Sequence, residues 1–222
     1  MKPEMDREEM SLWQALAGRR TIRRFTPDPV DEGDLTRMLD AARLAPNGRN
    51  RQLWHFVVIK NRDVIQRMAE AVEMAATRLA ARGREHGLDR EAAKVEGEKM
   101  AWTLFARAPL TIAVFERPEP FDPRVAILQA EGLSGLEIQR FRPRSPLQSV
   151  AAAIENLLLA AHALGYGACW MTGPLIAAPE LEEILGTGEE LRLVALIPIG
   201  RPAESPPARP RKPLGEIVTV LA

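Results

Sequence analysis

Residues that build many common catalytic centres are scarce in this chain of 222 residues, which contains one cysteine, Cys169, and three histidines. A single cysteine cannot form an internal disulfide bond, and with three scattered histidines it cannot complete a Cys/His zinc site of the usual kind. The sequence also has no GxSxG, HExxH or Walker motif. We therefore expect neither a metal site nor a catalytic nucleophile, acid or base supplied by the protein itself.

Net charge is also lacking, because 30 Lys and Arg residues balance 30 Asp and Glu residues. A neutral chain has no overall field that would attract polyanions, which argues against a general binder of nucleic acid or heparin. Charge can still be concentrated locally, so its distribution along the chain matters more than its sum.

Long uninterrupted apolar runs are absent as well. The longest such segment, residues 150–171, contains Glu155, Asn156 and His162, so it is a poor membrane span. The opening sequence MKPEMDREEMS is polar and acidic, without the apolar stretch that directs secretion. We expect a cytoplasmic protein.

Hydrophobic periodicity predicts helices that alternate with short buried strands. The predicted helices are 31–45, 63–82, 90–107 and 148–164, and the predicted strands are 54–59, 110–115, 169–171 and 191–199. This alternation favours one domain over residues 1–222, with an α/β or α+β sheet covered by helices. Within this domain, the proline-rich connection at about 116–146 is typical of a lid or binding loop. The proline-rich segment at about 202–222 is typical of an extended tail.

The predicted helix 148–164 is apolar around nearly its whole circumference. Val150, Ile154 and Leu157 follow one stripe, while alanines and Leu159 cover most of the opposite side. A helix of this kind is buried on more than one face. Two arrangements remain open: the helix lies between the sheet and another helix, or one face forms the seam of a homodimer, the commonest symmetric assembly.

Arginine is concentrated in the segment 18–24, GRRTIRR, which holds four guanidinium groups and no acid. Guanidinium forks match phosphate oxygens, and Thr21 adds a hydroxyl donor, so the segment can bind an anionic ligand. Arg209, Arg211 and Lys212 form a second basic group near the other end of the chain. Two other interpretations stay open, namely a solvated basic helix end and a non-catalytic nucleic-acid-binding module.

Two loops carry further candidate residues. The sequence PNGRNRQ at 46–52 lies between a predicted helix and strand, where glycine permits close backbone approach and amides can contact a polar ring edge. The sequence MTGP at 171–174 follows a predicted strand, and its backbone N–H groups can face a ligand. Both segments are also compatible with ordinary turns.

Taken in order, four motifs resemble those of the FMN-dependent nitroreductases. They are RRTIRRF at 19–25, APNGRNRQLWHFVVI at 45–59, AAIENLLLAAHALGYGACWMTGP at 152–174 and RPRKPLGEIV at 209–218. The resemblance implies an α+β fold with a central, mostly antiparallel sheet flanked by helices. It also implies an intertwined homodimer that binds FMN in two interface clefts.

The resemblance assigns roles to three groups of residues. The group implied to hold the FMN phosphate and ribityl chain is Arg19, Arg20, Thr21, Arg209 and Arg211, with Arg23 nearer the flavin N1 and C2 carbonyl. The group implied to come from the partner subunit and to line the ring is Pro46, Asn47 and Gly48, with Asn50 and Gln52 as polar ring or ribityl contacts. The backbone implied on the N5 side is that of Met171, Thr172 and Gly173.

The implied activity is reduction of nitroaromatics, quinones or similar electrophiles, with NADH or NADPH reducing FMN in an alternating, ping-pong mechanism. The flavin carries this chemistry and the protein positions it, which agrees with the lack of other catalytic motifs. A specialised member of the same fold, a reductive dehalogenase or an FMN-fragmenting enzyme, is the alternative. Asn47 and Arg49 stand where small residues are common in the family, Leu53 where proline is common, and Glu155 where glutamine is common.

Overall fold

The computed structural model describes residues 10–118, 121–141, 144–188 and 190–221. Within these ranges one sheet is formed by β1 (Trp54–Ile59), β2 (Leu110–Glu116), β3 (Gly167–Ala168) and β4 (Arg192–Gly200). The strand order is β1-β2-β4-β3, and every pair of named strands is antiparallel. The predicted α+β class with a mostly antiparallel sheet is therefore confirmed.

Helices cover both faces of this sheet. In chain order they are α1 (Leu12–Gly18), α2 (Glu32–Arg43), α3 (Arg62–Glu85), α4 (Asp89–Trp102), α5 (Pro123–Ala130), α6 (Gly135–Phe141), α7 (Ser145–Ala163) and α8 (Ala178–Leu185). One apolar cluster joins the sheet to α2 and α7, and a second joins the opposite face to α3 and α8. No helix in the described ranges is long and apolar enough to cross a membrane.

Strand β2 lies in the middle of the sheet and separates the two apolar clusters. Ile112 and Val114 belong to the cluster with α7, while Ala113 and Phe115 belong to the cluster with α3. Because alternate side chains of a strand point to opposite faces, a strand covered on both faces is apolar at most positions. All seven residues of β2 are buried, including a threonine and a glutamate near its ends, and the residues between them are all apolar.

The start of α2 is capped by a side chain. The Asp31 carboxylate accepts a hydrogen bond from the backbone N–H of Asp34 at 3.0 Å. Such a bond satisfies one of the free donors at a helix start. Leu35, Met38 and Ala42 then form the buried face of the helix, and the helix predicted at 31–45 is confirmed.

The predicted strand at 169–171 is wrong, since the strand that forms is β3, two residues earlier. Cys169 donates a backbone hydrogen bond to Pro198 at 3.3 Å, but Pro198 has no N–H to return. The ladder with β4 stops there and resumes as an isolated bridge between Met171 and Leu196. The interruption depends on a proline in the opposite strand, which the sequence around 169–171 does not reveal.

Two helical predictions also need correction. The predicted helix 90–107 ends at Trp102 and continues as a separate 3-10 turn, Leu104–Arg107, which buries Leu104 and Phe105. The guanidinium of Arg62 donates to the carbonyls of Ala106 and Ala108 near the end of this turn, so α3 holds it in place. The connection at about 116–146 contains α5 and α6, which its prolines concealed; its role as a lid stays a prediction.

Helix α7 lies between α2 and the sheet, which confirms the first of the two arrangements left open for it. The Asn156 side chain donates to the carbonyl of Ala41 at 3.0 Å and joins α7 to α2. At the end of α7, Tyr166 donates its hydroxyl hydrogen to Asp34 at 3.0 Å, and Arg201 stacks on the tyrosine ring at 3.9 Å. These contacts connect α2, α7 and the end of β4. The homodimer seam remains a prediction.

Candidate functional site

The two basic segments of the sequence meet in one cleft of about 480 Å³, here called the arginine cleft. Its lining includes six of the predicted site residues, Arg19, Arg20, Thr21, Arg23, Arg209 and Arg211. No acidic residue lines it in the part of the chain that the structure describes. The cleft therefore combines five guanidinium groups with a hydroxyl, a donor set that suits an anion.

The first wall of the cleft is attached to the edge of the sheet. Thr21 forms a parallel bridge with Ala168, and the backbone N–H of Ile22 donates to the Ala168 carbonyl at 3.0 Å. Just before this point α1 crosses α7 so closely that a Cβ at Gly18 would lie 2.7 Å from Nε2 of His162. The end of α1 therefore lies directly against a side chain of α7, and the sheet edge fixes the segment that follows it.

The second wall is held by Glu204, a residue that the sequence analysis did not single out. Its carboxylate accepts backbone hydrogen bonds from Arg23 at 2.6 Å and Arg24 at 3.1 Å. Ala203 donates to the Arg24 carbonyl at 2.9 Å, so the start of the tail runs alongside the basic segment. These contacts place residues 206–211 over Arg19 and Thr21. An acid 180 positions away along the chain gives no sequence signal of this pairing.

The arginines of the cleft are not equivalent. Arg20 donates to the carbonyls of Ala17 at 2.7 Å and Arg19 at 2.9 Å, so it stabilises the end of α1 as a basic helix-end residue does. Arg19 instead lies 3.8 Å from the carboxylate of Glu155, a separation that suits a weak ion pair across a partly exposed surface. The helix-end interpretation therefore applies to Arg20, while Arg19 is better placed for a ligand.

Three predicted ring contacts, Asn47, Gly48 and Gln52, line a different cleft of about 270 Å³, here called the loop cleft. The start of α7 forms its other side, where Ser145 Oγ would lie 3.4 Å from a Cβ at Gly48. Pro46 and Asn50 do not line this cleft. Among the described residues of one chain, none lines both clefts. The predicted approach of 46–48 to a flavin in the partner subunit stays a prediction.

The side chain of Asn47 stabilises its own loop. Its amide oxygen accepts from the backbone N–H of Gln52 at 2.9 Å, and its amide nitrogen donates to the Ala45 carbonyl at 3.3 Å. Between these anchors Arg49, Asn50 and Gln52 have positive φ angles of 57°, 52° and 50°. Left-handed backbone is unusual for residues other than glycine and persists only where the surrounding structure imposes it.

Met171, Thr172 and Gly173 line neither cleft. Met171 is buried and bridges to Leu196, and Gly173 packs on Trp102 so tightly that a Cβ would lie 2.3 Å from the indole Cδ1. The segment does follow Ala168, the residue that pairs with Thr21. Its predicted place on the N5 side of a flavin remains a prediction.

The described ranges contain few other groups that suit metal binding or nucleophilic chemistry. No group of three His, Cys, Asp or Glu side chains there is arranged to hold a metal ion. Cys169 is buried, and burial raises the pKa of its thiol. Because the thiolate is the reactive form of cysteine, a raised pKa makes Cys169 a poor nucleophile.

His162 lies beside the arginine cleft, and its imidazole has a lowered pKa. Burial is the main cause, and the positive charges of Arg19 and Arg20 add to it. The neutral form is therefore favoured in the folded protein. A protonated His162 would add another cation next to two guanidinium groups.

Acidification is expected to destabilise the FMN-free protein through His162. Since its folded pKa lies below the ordinary value of 6.5, the unfolded chain binds the proton more readily. The contribution of His162 to the free energy of unfolding is full above about pH 6.5 and is lost as the pH falls toward the folded pKa. Between about pH 7.5 and pH 5.5, the urea midpoint should fall further for wild type than for His162→Gln. Equal falls would contradict this assignment.

Comparison with known proteins places this geometry in a family. The sequence profile of the Nitroreductase family matches residues 16–201. A 5,6-dimethylbenzimidazole synthase of Rhodospirillum rubrum is 33% identical over 200 residues, covering 89% of this chain and 84% of that protein. The residues matched by the family profile include the basic segment at 19–25 and both candidate loops.

Solved structures agree with the sequence comparison. A BluB-like flavoprotein from Clostridium difficile 630 superposes with a TM-score of 0.85 at 30% identity, over 96% of this chain and 100% of the other. Iodotyrosine deiodinase bound to FMN and 3-iodo-L-tyrosine superposes with a TM-score of 0.66 at 25% identity, over 95% and 98% of the two chains. The predicted nitroreductase-like fold is confirmed, and the chain belongs to the nitroreductase family.

Proposed function

We propose that this protein is an FMN-dependent oxidoreductase that uses NADH or NADPH to reduce nitroaromatics, quinones or similar electrophiles by a ping-pong mechanism. The proposal is based on the arginine cleft. It joins Arg19, Arg20 and Arg23 to Arg209 and Arg211 from the far end of the chain, with Thr21 between them. A phosphate monoester is the group that this acid-free set of donors fits best.

The residues of the cleft have distinct proposed tasks. Arg19 and Arg209 bind the phosphate, while Thr21 donates its hydroxyl to the phosphate or the ribityl chain. Arg23, whose backbone is fixed by Glu204, supplies positive charge toward the ring. FMN, when bound, supplies the redox chemistry by taking hydride from the nicotinamide and passing electrons to the acceptor. No protein acid, base or nucleophile is then needed.

The active form in this proposal is a cytoplasmic homodimer with FMN at the interface. Exposed apolar side chains occur on α1 and along the tail, where Trp13 is 78% exposed, Val220 81% and Leu221 93%. Large exposed apolar groups of this kind are typical of a surface that a partner covers. The second subunit would cover them and present its own loop 46–52 to the flavin.

A specialised activity is the second candidate. The similarity to the BluB-like flavoprotein and to the 5,6-dimethylbenzimidazole synthase supports an FMN-fragmenting reaction, and the similarity to iodotyrosine deiodinase supports a reductive dehalogenation. Each of these would use the same flavin site. They would differ from the reductase in what binds near the loop cleft and the segment 116–146.

A two-stage experiment separates the proposed reductase from an FMN-fragmenting enzyme. Under anaerobic conditions, NADH or NADPH should bleach the flavin of the FMN-loaded protein, and a nitroaromatic or a quinone should then restore its colour. Chromatography after aerobic incubation with the nicotinamide should recover intact FMN. Loss of FMN with appearance of a benzimidazole would support the second candidate, and a flavin that neither nicotinamide bleaches would contradict the proposed function.

A further inference from the structure

The loop cleft is positively charged on the described part of its surface. Arg49, Arg51 and Arg124 line it, together with uncharged polar residues such as Gln148 and Ser149. No aspartate or glutamate is among its described lining residues. Phe141, which is 67% exposed, adds an aromatic surface to the same wall. Cations beside an exposed aromatic ring suit a ligand that is itself aromatic and anionic.

Arg49 is the central cation of this cleft. Its side chain is exposed, and it forms no hydrogen bond or ion pair with the residues that the structure describes. Its backbone is left-handed, with φ 57° and ψ 24°, between the two anchors that the Asn47 side chain provides. A strained backbone that presents an uncompensated guanidinium to a cleft is typical of a binding site.

Arg124 forms the opposite wall and is held in a fixed orientation. Its Nε and terminal nitrogen donate to the carboxylate of Asp122 at 3.1 Å and 2.7 Å, and the same carboxylate accepts the backbone N–H of Arg124 at 2.9 Å. Because the Asp122 carboxylate balances its charge, Arg124 contributes to the shape of the cleft more than to its positive electrostatic potential. Arg51 and Arg124 both have interaction partners, so Arg49 is the lining arginine that the described residues leave without one.

We propose that the loop cleft binds a carboxylate on the aromatic acceptor and that Arg49 is its main ligand. The inference rests on the proposed function, in which residues 46–48 lie against the flavin ring and an acceptor in the loop cleft is next to it. A neutral nitroaromatic or quinone would then be a poorer substrate than an otherwise identical acid.

Binding of an unreactive pair of ligands tests the inference without turnover. Calorimetry on the FMN-loaded protein should give benzoate an affinity about tenfold higher than benzamide, the effect of one charge-assisted hydrogen bond. Added salt should reduce this preference. Arg49→Gln should lower the ratio to about one, while the matched control Arg67→Gln, on the exposed side of α3, should leave it at about ten.

Turnover gives the second readout. The ratio of kcat/KM for para-nitrobenzoate to that for para-nitrobenzamide should be about ten in wild type and in Arg67→Gln, and about one in Arg49→Gln. Equal values for the two substrates in wild type, with normal bleaching by NADH or NADPH, would overturn this inference and leave the proposed function intact. If neither nicotinamide bleaches the flavin, the proposed function fails, and the benzoate and benzamide affinities still decide whether Arg49 binds a carboxylate.

Discussion

Replacing Arg19 and Arg209 together by alanine is expected to raise the dissociation constant for FMN by about a hundredfold or more. A hydrogen bond between charged groups contributes about 1.5–3 kcal/mol, so each single variant should weaken binding by about tenfold to 150-fold. The two arginines lie in one cleft and share a proposed ligand, so their effects need not add. Fluorescence titration of FMN into the flavin-free protein measures both the single and the double variants.

Riboflavin is the control ligand for this experiment because it has the ring and the ribityl chain but no phosphate. The double variant should bind riboflavin about as well as wild type does. Arg37→Ala, on the exposed side of α2 and 3.9 Å from Asp34, is the control variant and should leave FMN binding unchanged. Equal losses for FMN and riboflavin would indicate damage to the fold, and unchanged FMN affinity would reject the phosphate role.

Gly167→Ala is expected to destabilise the protein by about 1–3 kcal/mol, the usual cost of overpacking a core. A Cβ at Gly167 would lie 2.6 Å from the Cβ of Ile22 and 2.7 Å from its Cγ1 and Cγ2. The Ile22 Cβ is fixed by the backbone, so no change of side-chain rotamer removes the clash, and β3 and the segment 21–22 must separate. Because Thr21 lines the arginine cleft, FMN binding should weaken along with the fold.

Urea denaturation of the flavin-free protein measures the first effect, and FMN titration measures the second. Gly97→Ala is the matched control, since a Cβ at that position on α4 meets nothing within 4 Å. Alanine is the better helix former, so this control should be more stable than wild type by about 0.5–1 kcal/mol. A Gly167→Ala variant as stable as wild type would contradict the described packing of β3 against Ile22.

The features that sequence predicted best are those that depend on neighbouring residues. The helix 31–45, the apolar stripe of α7 and the buried strand 110–115 all follow from local pattern, and all three are confirmed. The strand at 169–171 failed because its pairing depends on Pro198, a residue on another strand. Helix α5 begins at Pro123, a position in the first turn where proline is compatible with a helix, so a proline-rich sequence alone does not distinguish this helix from a loop.

The candidate site also combines features that neighbouring residues determine with features that depend on distant residues. An acid-free run of arginines is visible in the sequence, and so is the second basic group near the other end. That they share a cleft depends on Glu204 and on the pairing of Thr21 with Ala168, contacts between distant residues that no local pattern records. The local sequence also does not show that the Asn47 side chain stabilises its loop or that Arg49 has a left-handed backbone.

In the proposed function, the arginine cleft binds FMN through its phosphate. The most direct test is the absorption spectrum of the purified protein after incubation with FMN and removal of unbound flavin by gel filtration. We predict a yellow protein with an equimolar flavin band, and loss of that band in the Arg19→Ala/Arg209→Ala double variant. A wild-type protein that remains colourless would contradict it.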